Sequence, residues 1–118
     1  MKHQNGNPRM NMSIDFRRAY LRNQVINLIT NGHLSTTKSR AKQIQRYAEK
    51  IVTVARAGAD FNTIRRVNQL LPYSTTACKK LVAEIAPRYT QRPGGYTRLI
   101  PLGRRPSDTA PIARIEWV

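Results

Sequence analysis

From Ser13 onward, apolar residues recur three or four positions apart, and the spacing predicts a helix with Leu21, Val25, Leu28 and Ile29 on its inner side. Ser13 is placed to cap it, and Asp15 falls in the first turn, where the helix dipole favours a negative charge. Asn31-Gly32 ends it, since glycine accepts positive φ without a steric penalty. Leu34-Ser35-Thr36 then suits a short extended segment, and Thr36 or Thr37 caps a second helix. That helix has the cleanest stripe in the chain: Ala41, Ile44, Ala48, Ile51, Val52 and Ala55, closed by Gly58. A shorter third helix is predicted from Asp60, with Phe61, Ile64, Val67 and Leu71 inward and Pro72 ending it. Ser74 or Thr75 caps a fourth, carrying Ala77, Leu81, Val82 and Ile85, and Pro87 stops it. Beyond Pro87 the period shortens to two. Residues 96–102 and 112–118 read as strands, the second alternating Ala113, Ile115 and Trp117 against Arg114 and Glu116. A loop from Gly103 to Pro111 joins them, and Gly94-Gly95 lets the chain turn tightly into this hairpin.

With 118 residues and 40% hydrophobic content, the chain supports one domain with a modest core. Residues 1–12 read as an extended basic-polar tail, and 13–118 as a single domain ending in a hairpin at about 96–118. No apolar run approaches membrane-spanning length. The opening MKHQNGNPRMNMS has no apolar segment after its charges, so it does not read as a secretory signal. Charge changes the picture most. Lys and Arg number 21 against 6 acidic residues, a formal net charge of +15. A surplus of that size repels itself in a compact state, and neutralising phosphates releases condensed counterions, so a polyanion partner is expected. The surplus is uneven: +9 over residues 1–58, +2 over 59–86 and +4 over 87–118. On the second helix Lys38, Lys42, Arg46 and Lys50 repeat at four-residue steps opposite the apolar stripe. Like charges at that spacing weaken an isolated helix, and a phosphate backbone along the face reverses the effect.

Reactive chemistry finds little support. His3 and His33 lack carboxylate or thiol neighbours at ligand spacing, and the acidic residues are scattered, so neither a metal site nor a nucleophilic triad is expected. Glu49, beside Lys50, reads as a surface-tuning residue. Cys78, the only cysteine, has no disulfide partner in the chain and is expected near the core. The glycine pair at 94–95 lacks the Lys-Ser/Thr element of a nucleotide-binding loop. Tyr89 and Tyr96, interleaved with Arg88, Arg92 and Arg98, are candidates for stacking on exposed bases, with packing against the helices as the alternative. A helix-turn-helix for DNA fits poorly, because the connection from Asn31 to Thr36 is long and partly extended.

Several stretches, taken in order, resemble the bacterial-type large-subunit ribosomal protein seventeen family. They are Arg22-Asn23, Thr36-Thr37, Ala41-Lys42 through Arg46-Tyr47-Ala48-Glu49-Lys50, and Ala55-Arg56-Ala57-Gly58. Ala86-Pro87-Arg88-Tyr89 follows, then Arg92, Gly94-Gly95-Tyr96-Thr97-Arg98, Leu102-Gly103-Arg104-Arg105, Asp108-Thr109-Ala110-Pro111 and Ile115-Glu116. The resemblance implies an α+β fold: a two-layer domain in the order α-β-α-α-α-β-β, with a small mixed sheet covered by helices. It implies a non-enzymatic constituent of the large ribosomal subunit that binds and stabilises large-subunit rRNA near the peptide exit region, without a cofactor or small-molecule substrate. Neighbouring large-subunit proteins are implied partners. The tail departs from the family, whose opening is richer in basic residues than Met1-Lys2-His3-Gln4-Asn5. The expected setting is the ribosome of the bacterial cytoplasm, with a mitochondrial or plastid ribosome as the alternative. The expected rRNA contacts are Lys2, Arg9, Arg18, Arg22, Lys38, Lys42, Arg46, Arg98, Arg104 and Arg105. Competing readings are a free RNA- or DNA-binding protein such as an RNA chaperone, and a protein-interaction subunit with an acidic partner.

Overall fold

A computed structural model describes residues 12–58 and 60–118. The expected tail therefore lies, apart from residue 12, outside the described residues. Helix α1 (Ile14–Asn31) starts as its caps dictate: the Ser13 hydroxyl accepts from the Phe16 amide at 3.3 Å, with Asp15 in the first turn. It stops at Gly32, whose φ of 85° aims its amide at the Leu28 carbonyl. Strand β1 (His33–Thr37) runs straight into helix α2 (Lys38–Ala55). Thr37 sits at the N-cap position of α2 but makes no side-chain cap bond. Helix α3 (Phe61–Leu70) is capped by Asp60, which accepts from the Thr63 amide at 3.0 Å, and this bonding holds the Asp60 carboxyl below its ordinary pKa. Helix α4 (Thr75–Lys80) is capped by Ser74 through the Ala77 amide at 3.1 Å.

Pro87 does not stop the fourth helical run as expected. After α4 the chain widens into a π-helical turn over Leu81–Ile85 and then tightens into a 3-10 turn over Ala86–Tyr89. The Ala86 amide reaches back to the Leu81 carbonyl. Pro87 follows at the start of the tighter turn, where its missing N–H leaves no bond unmade and its fixed φ is already helical.

Strands β2 (Thr97–Arg104) and β3 (Pro111–Trp117) form the closing hairpin. The sheet order is β1-β3-β2, with both pairings antiparallel, so the mixed sheet of the expectation is corrected. β1 and β2 do run in the same direction, but β3 lies between them and no parallel neighbours remain. The element order α-β-α-α-α-β-β stands as expected. Pro101 is tolerated because β2 is an edge strand, and the register shift beside it is absorbed at Gly103, with φ 94°.

Alternation decides which sheet face is buried. Leu34, Ile115 and Leu99 lie in one cross-strand row, with Thr36 and Ala113 in the next, and these point at the helices. Against them pack Ile44, Ala48, Ile51 and Val52 of α2, with Val25, Leu28 and Ile29 of α1. Each fully buried Leu, Ile or Val stabilises by about 1.5–3 kcal/mol. Specific bonds fix the layers. The Trp117 indole donates to the Leu28 carbonyl at 3.3 Å, joining β3 to α1. The Tyr47 hydroxyl donates to the Leu70 carbonyl at 2.8 Å, joining α2 to α3. Lys80 donates to the Thr30 carbonyl at 3.2 Å, placing a cation at the negative end of α1.

Candidate nucleic-acid interface

One helix presents the most regular cationic surface. On α2 the buried positions are Ala41, Ile44, Ala48, Ile51, Val52 and Ala55. Lys38, Lys42, Arg46 and Lys50 are all exposed on the other side. A rise of about 1.5 Å per residue spaces their Cα atoms about 6 Å apart along the axis. The packed stripe that anchors α2 to the sheet therefore also fixes the direction of the charged one. On α1, Arg18 is exposed, and Arg40 at the start of α2 lies over the Tyr20 ring at 5.4 Å, so the two helices share a basic margin.

Arg22 behaves differently from its neighbours. It is half-buried, lies 5.6 Å from the Tyr73 ring centroid, and its Nε has no hydrogen-bond partner. Hydrogen bonding to Tyr73 and then Tyr47 pushes its pKa up, so its charge is held against the fold. Lys2 and Arg9, the two tail contacts expected, lie outside the described residues.

The terminal hairpin carries the other expected cations. Arg98 pairs across the strands with Glu116 at 3.9 Å, and Arg114 approaches the same carboxylate at 3.6 Å. The loop beyond β2 is braced by its own side chains. Arg105 donates to Asp108 through two nitrogens, at 3.0 and 2.8 Å, and Asp108 also accepts from the Ala110 amide at 3.2 Å. Hydrogen bonding to Arg105, then to the Ala110 amide, lowers the Asp108 pKa to about 2. Arg104 donates to the Thr109 carbonyl at 3.0 Å, and Thr109 itself takes a φ of 57°. Arg104 and Arg105 are thus exposed but held in defined positions, with donors left over on each guanidinium.

Two expectations for this region are corrected. Tyr89 and Tyr96 are 3% and 0% exposed, so neither offers a face to a base. Their rings pack on each other at 5.2 Å, and Tyr89 also meets Trp117. The Tyr89 hydroxyl donates to the Val118 carbonyl at 2.8 Å, which satisfies its polar end inside the fold. The Tyr96 hydroxyl lies 3.3 Å from both Thr53 and Arg56 of the α2 end. Glu49, read from sequence as a surface residue, accepts from the Thr97 hydroxyl at 2.9 Å and the Thr97 amide at 3.3 Å, fixing the start of β2. Arg56 adds a bond to the Thr90 carbonyl at 3.0 Å. Sequence reasoning missed this clasp because its partners are some forty residues apart and no local pattern links them.

Residues 20–118 match the family described as Ribosomal protein L17. The chain belongs to that family. Relatives agree with the assignment over the full length of the fold. The chain is 43% identical over 113 residues to the large ribosomal subunit protein bL17 of Desulforudis audaxviator, covering 96% of this chain and 99% of that protein. It is 42% identical over 118 residues to the protein of that name from Aliarcobacter butzleri, covering all of both chains. To that of Akkermansia muciniphila it is 41% identical over 118 residues, covering 100% of this chain and 85% of the relative. The resemblance read from the ordered motifs thus holds at the level of the family. Among the described residues, no helix is long and apolar enough to cross a membrane.

Proposed function

We propose that this protein is a structural constituent of the bacterial large ribosomal subunit, binding and stabilising large-subunit rRNA near the peptide exit region. The observation that carries the reading is the exposed α2 row of Lys38, Lys42, Arg46 and Lys50, set opposite a buried stripe, in a chain of the L17 family. The relatives are named as large ribosomal subunit proteins, which supports the same assignment. The work is electrostatic and not catalytic. Side chains held by the fold neutralise phosphates, release counterions and fix RNA segments relative to one another. In this reading Lys38, Lys42, Arg46 and Arg18 form the principal face, with Arg98, Arg104 and Arg105 as a second contact on the hairpin. Arg22 contributes mainly by tying α1 to the Tyr73 loop. Lys2 and Arg9 extend the contact from the tail, and neighbouring large-subunit proteins complete the surroundings.

Sedimentation through a high-salt gradient tests the proposal. The protein is expected to travel with intact large subunits and to be lost after RNA digestion. Recovery only in the free fractions would refute it and favour a free RNA chaperone or DNA-binding protein.

A further inference from the structure

Helix α3 carries more apolar surface than the core uses. Phe61 is 77% exposed and Ile64 41% exposed, although the pattern predicted both to be inward. Between α3 and the run that begins at α4 lies a groove of about 450 Å³. Its floor is Val67 and Cys78, and Ile64, Val82 and Ala83 form its apolar walls. The Cys78 thiol is already directed at the Leu71 carbonyl, 3.2 Å away, so the floor offers little to a polar ligand. The remaining lining is Asn68, Thr75 and Lys79.

The electrostatics here differ from those of the α2 face. Residues 59–86 hold a balance of only +2, with Glu84 next to Ala83. Two exposed cations stand by the groove: Lys79 in its lining, and Arg65 in the adjoining hollow that also contains Phe61 and Ile64. A few cations beside an apolar trough suit a ligand with apolar anchors and nearby carboxylates. RNA would instead need a denser basic margin. The ten residues of α3 provide a wall about 15 Å long, enough for two turns of a docked helix. Both helices pack chiefly on α1, α2 and each other, so the groove lies apart from the sheet.

We propose that this groove docks an amphipathic helix of a neighbouring protein, with apolar residues at i, i+3 or i+4, and i+7 filling it and carboxylates meeting Arg65 and Lys79. Phe61 closes over one end of the docked helix. The inference rests on the ribosomal reading, because the assembled particle supplies the neighbour, while sedimentation tests that reading separately.

The experiment replaces Phe61, an exposed position, with a photoreactive benzoylphenylalanine in large subunits purified from cells expressing the variant. Irradiation followed by mass spectrometry identifies the adduct. The expected adduct is on a protein segment with helical apolar spacing and at least two carboxylates. Combining Arg65→Glu with Lys79→Glu is expected to lower its yield about fivefold, as two exposed ion pairs allow, with incorporation of the protein unchanged. An adduct on RNA, an adduct only within this chain, no adduct at all, or a yield indifferent to the charge reversals would each overturn the proposal.

Discussion

Two kinds of cationic side chain share this chain. Lys42 and Arg18 point into solvent from regular helix faces, whereas Arg22, Arg56 and Arg105 are drawn into contacts that shape the fold. Arg105 shows why the distinction matters. Its pairing with Asp108 braces the loop that carries Arg104, so a residue that looks like a phosphate ligand also sets the position of its neighbour. The Asp108 carboxyl is lowered to about 2, against about 3.9 for a free aspartate. A depressed carboxylate supports the folded loop above the unfolded value and loses that support as pH falls through the folded one. Carbon-detected NMR of the Asp108 carboxyl should therefore give a midpoint near 2, with the Arg105 side-chain signals collapsing between about pH 4 and 2. Arg105→Gln should move the midpoint most of the way back to the ordinary range. An unmoved midpoint would mean that Arg105 is not the main cause.

At the scale of elements, most caps and breaks were legible because they are local, Thr37 and Pro87 being the exceptions. Ser13, Asp60 and Ser74 each accept from the amide three positions on, Gly32 turns its own amide to the Leu28 carbonyl, and each occupies the role its chemistry predicts. The α2 stripe was legible for a similar reason, since one helix face either packs or does not. What escaped the sequence depends on geometry between elements. Whether Phe61 and Ile64 face the core is set by how α3 leans on α2, and the apolar pattern on α3 is wider than that contact. Glu49 was misplaced, and the two tyrosines stayed open between stacking and packing, because the partners that bury them are distant in sequence. For the α2 face, the proposed role makes a quantitative demand. Lys38→Ala with Lys42→Ala should weaken binding to large-subunit rRNA fragments similarly across sequences. It should also flatten the slope of log affinity against log salt by about 1.4–1.8. A preserved slope in filter-binding titrations would remove these two side chains from the phosphate contacts.

Across the whole molecule, the charge surplus acts as a load on folding. The described fold extends over 45 × 29 × 27 Å. At about 0.01 M salt the screening length is about 30 Å, so cations on opposite sides still repel; at about 0.15 M it is about 8 Å and they do not. The free protein's melting temperature should thus rise by several degrees over that salt range, in scanning calorimetry at constant pH. A flat or falling curve would mean that specific pairs such as Arg105–Asp108, which salt weakens, outweigh the general repulsion.

The position of β3 in the chain has a consequence for the timing of synthesis. It is the central strand, yet the last of the three to emerge during translation. Leu34 has no cross-strand neighbour of the native sheet until Ile115 has been made, since the two edge strands are joined only through β3. Helices α1 to α4 can gather while the chain grows, but the sheet is a late, non-local closure. The hairpin cations thus reach their fixed positions only in a chain elongated through β3, so truncated chains cannot present the complete binding surface.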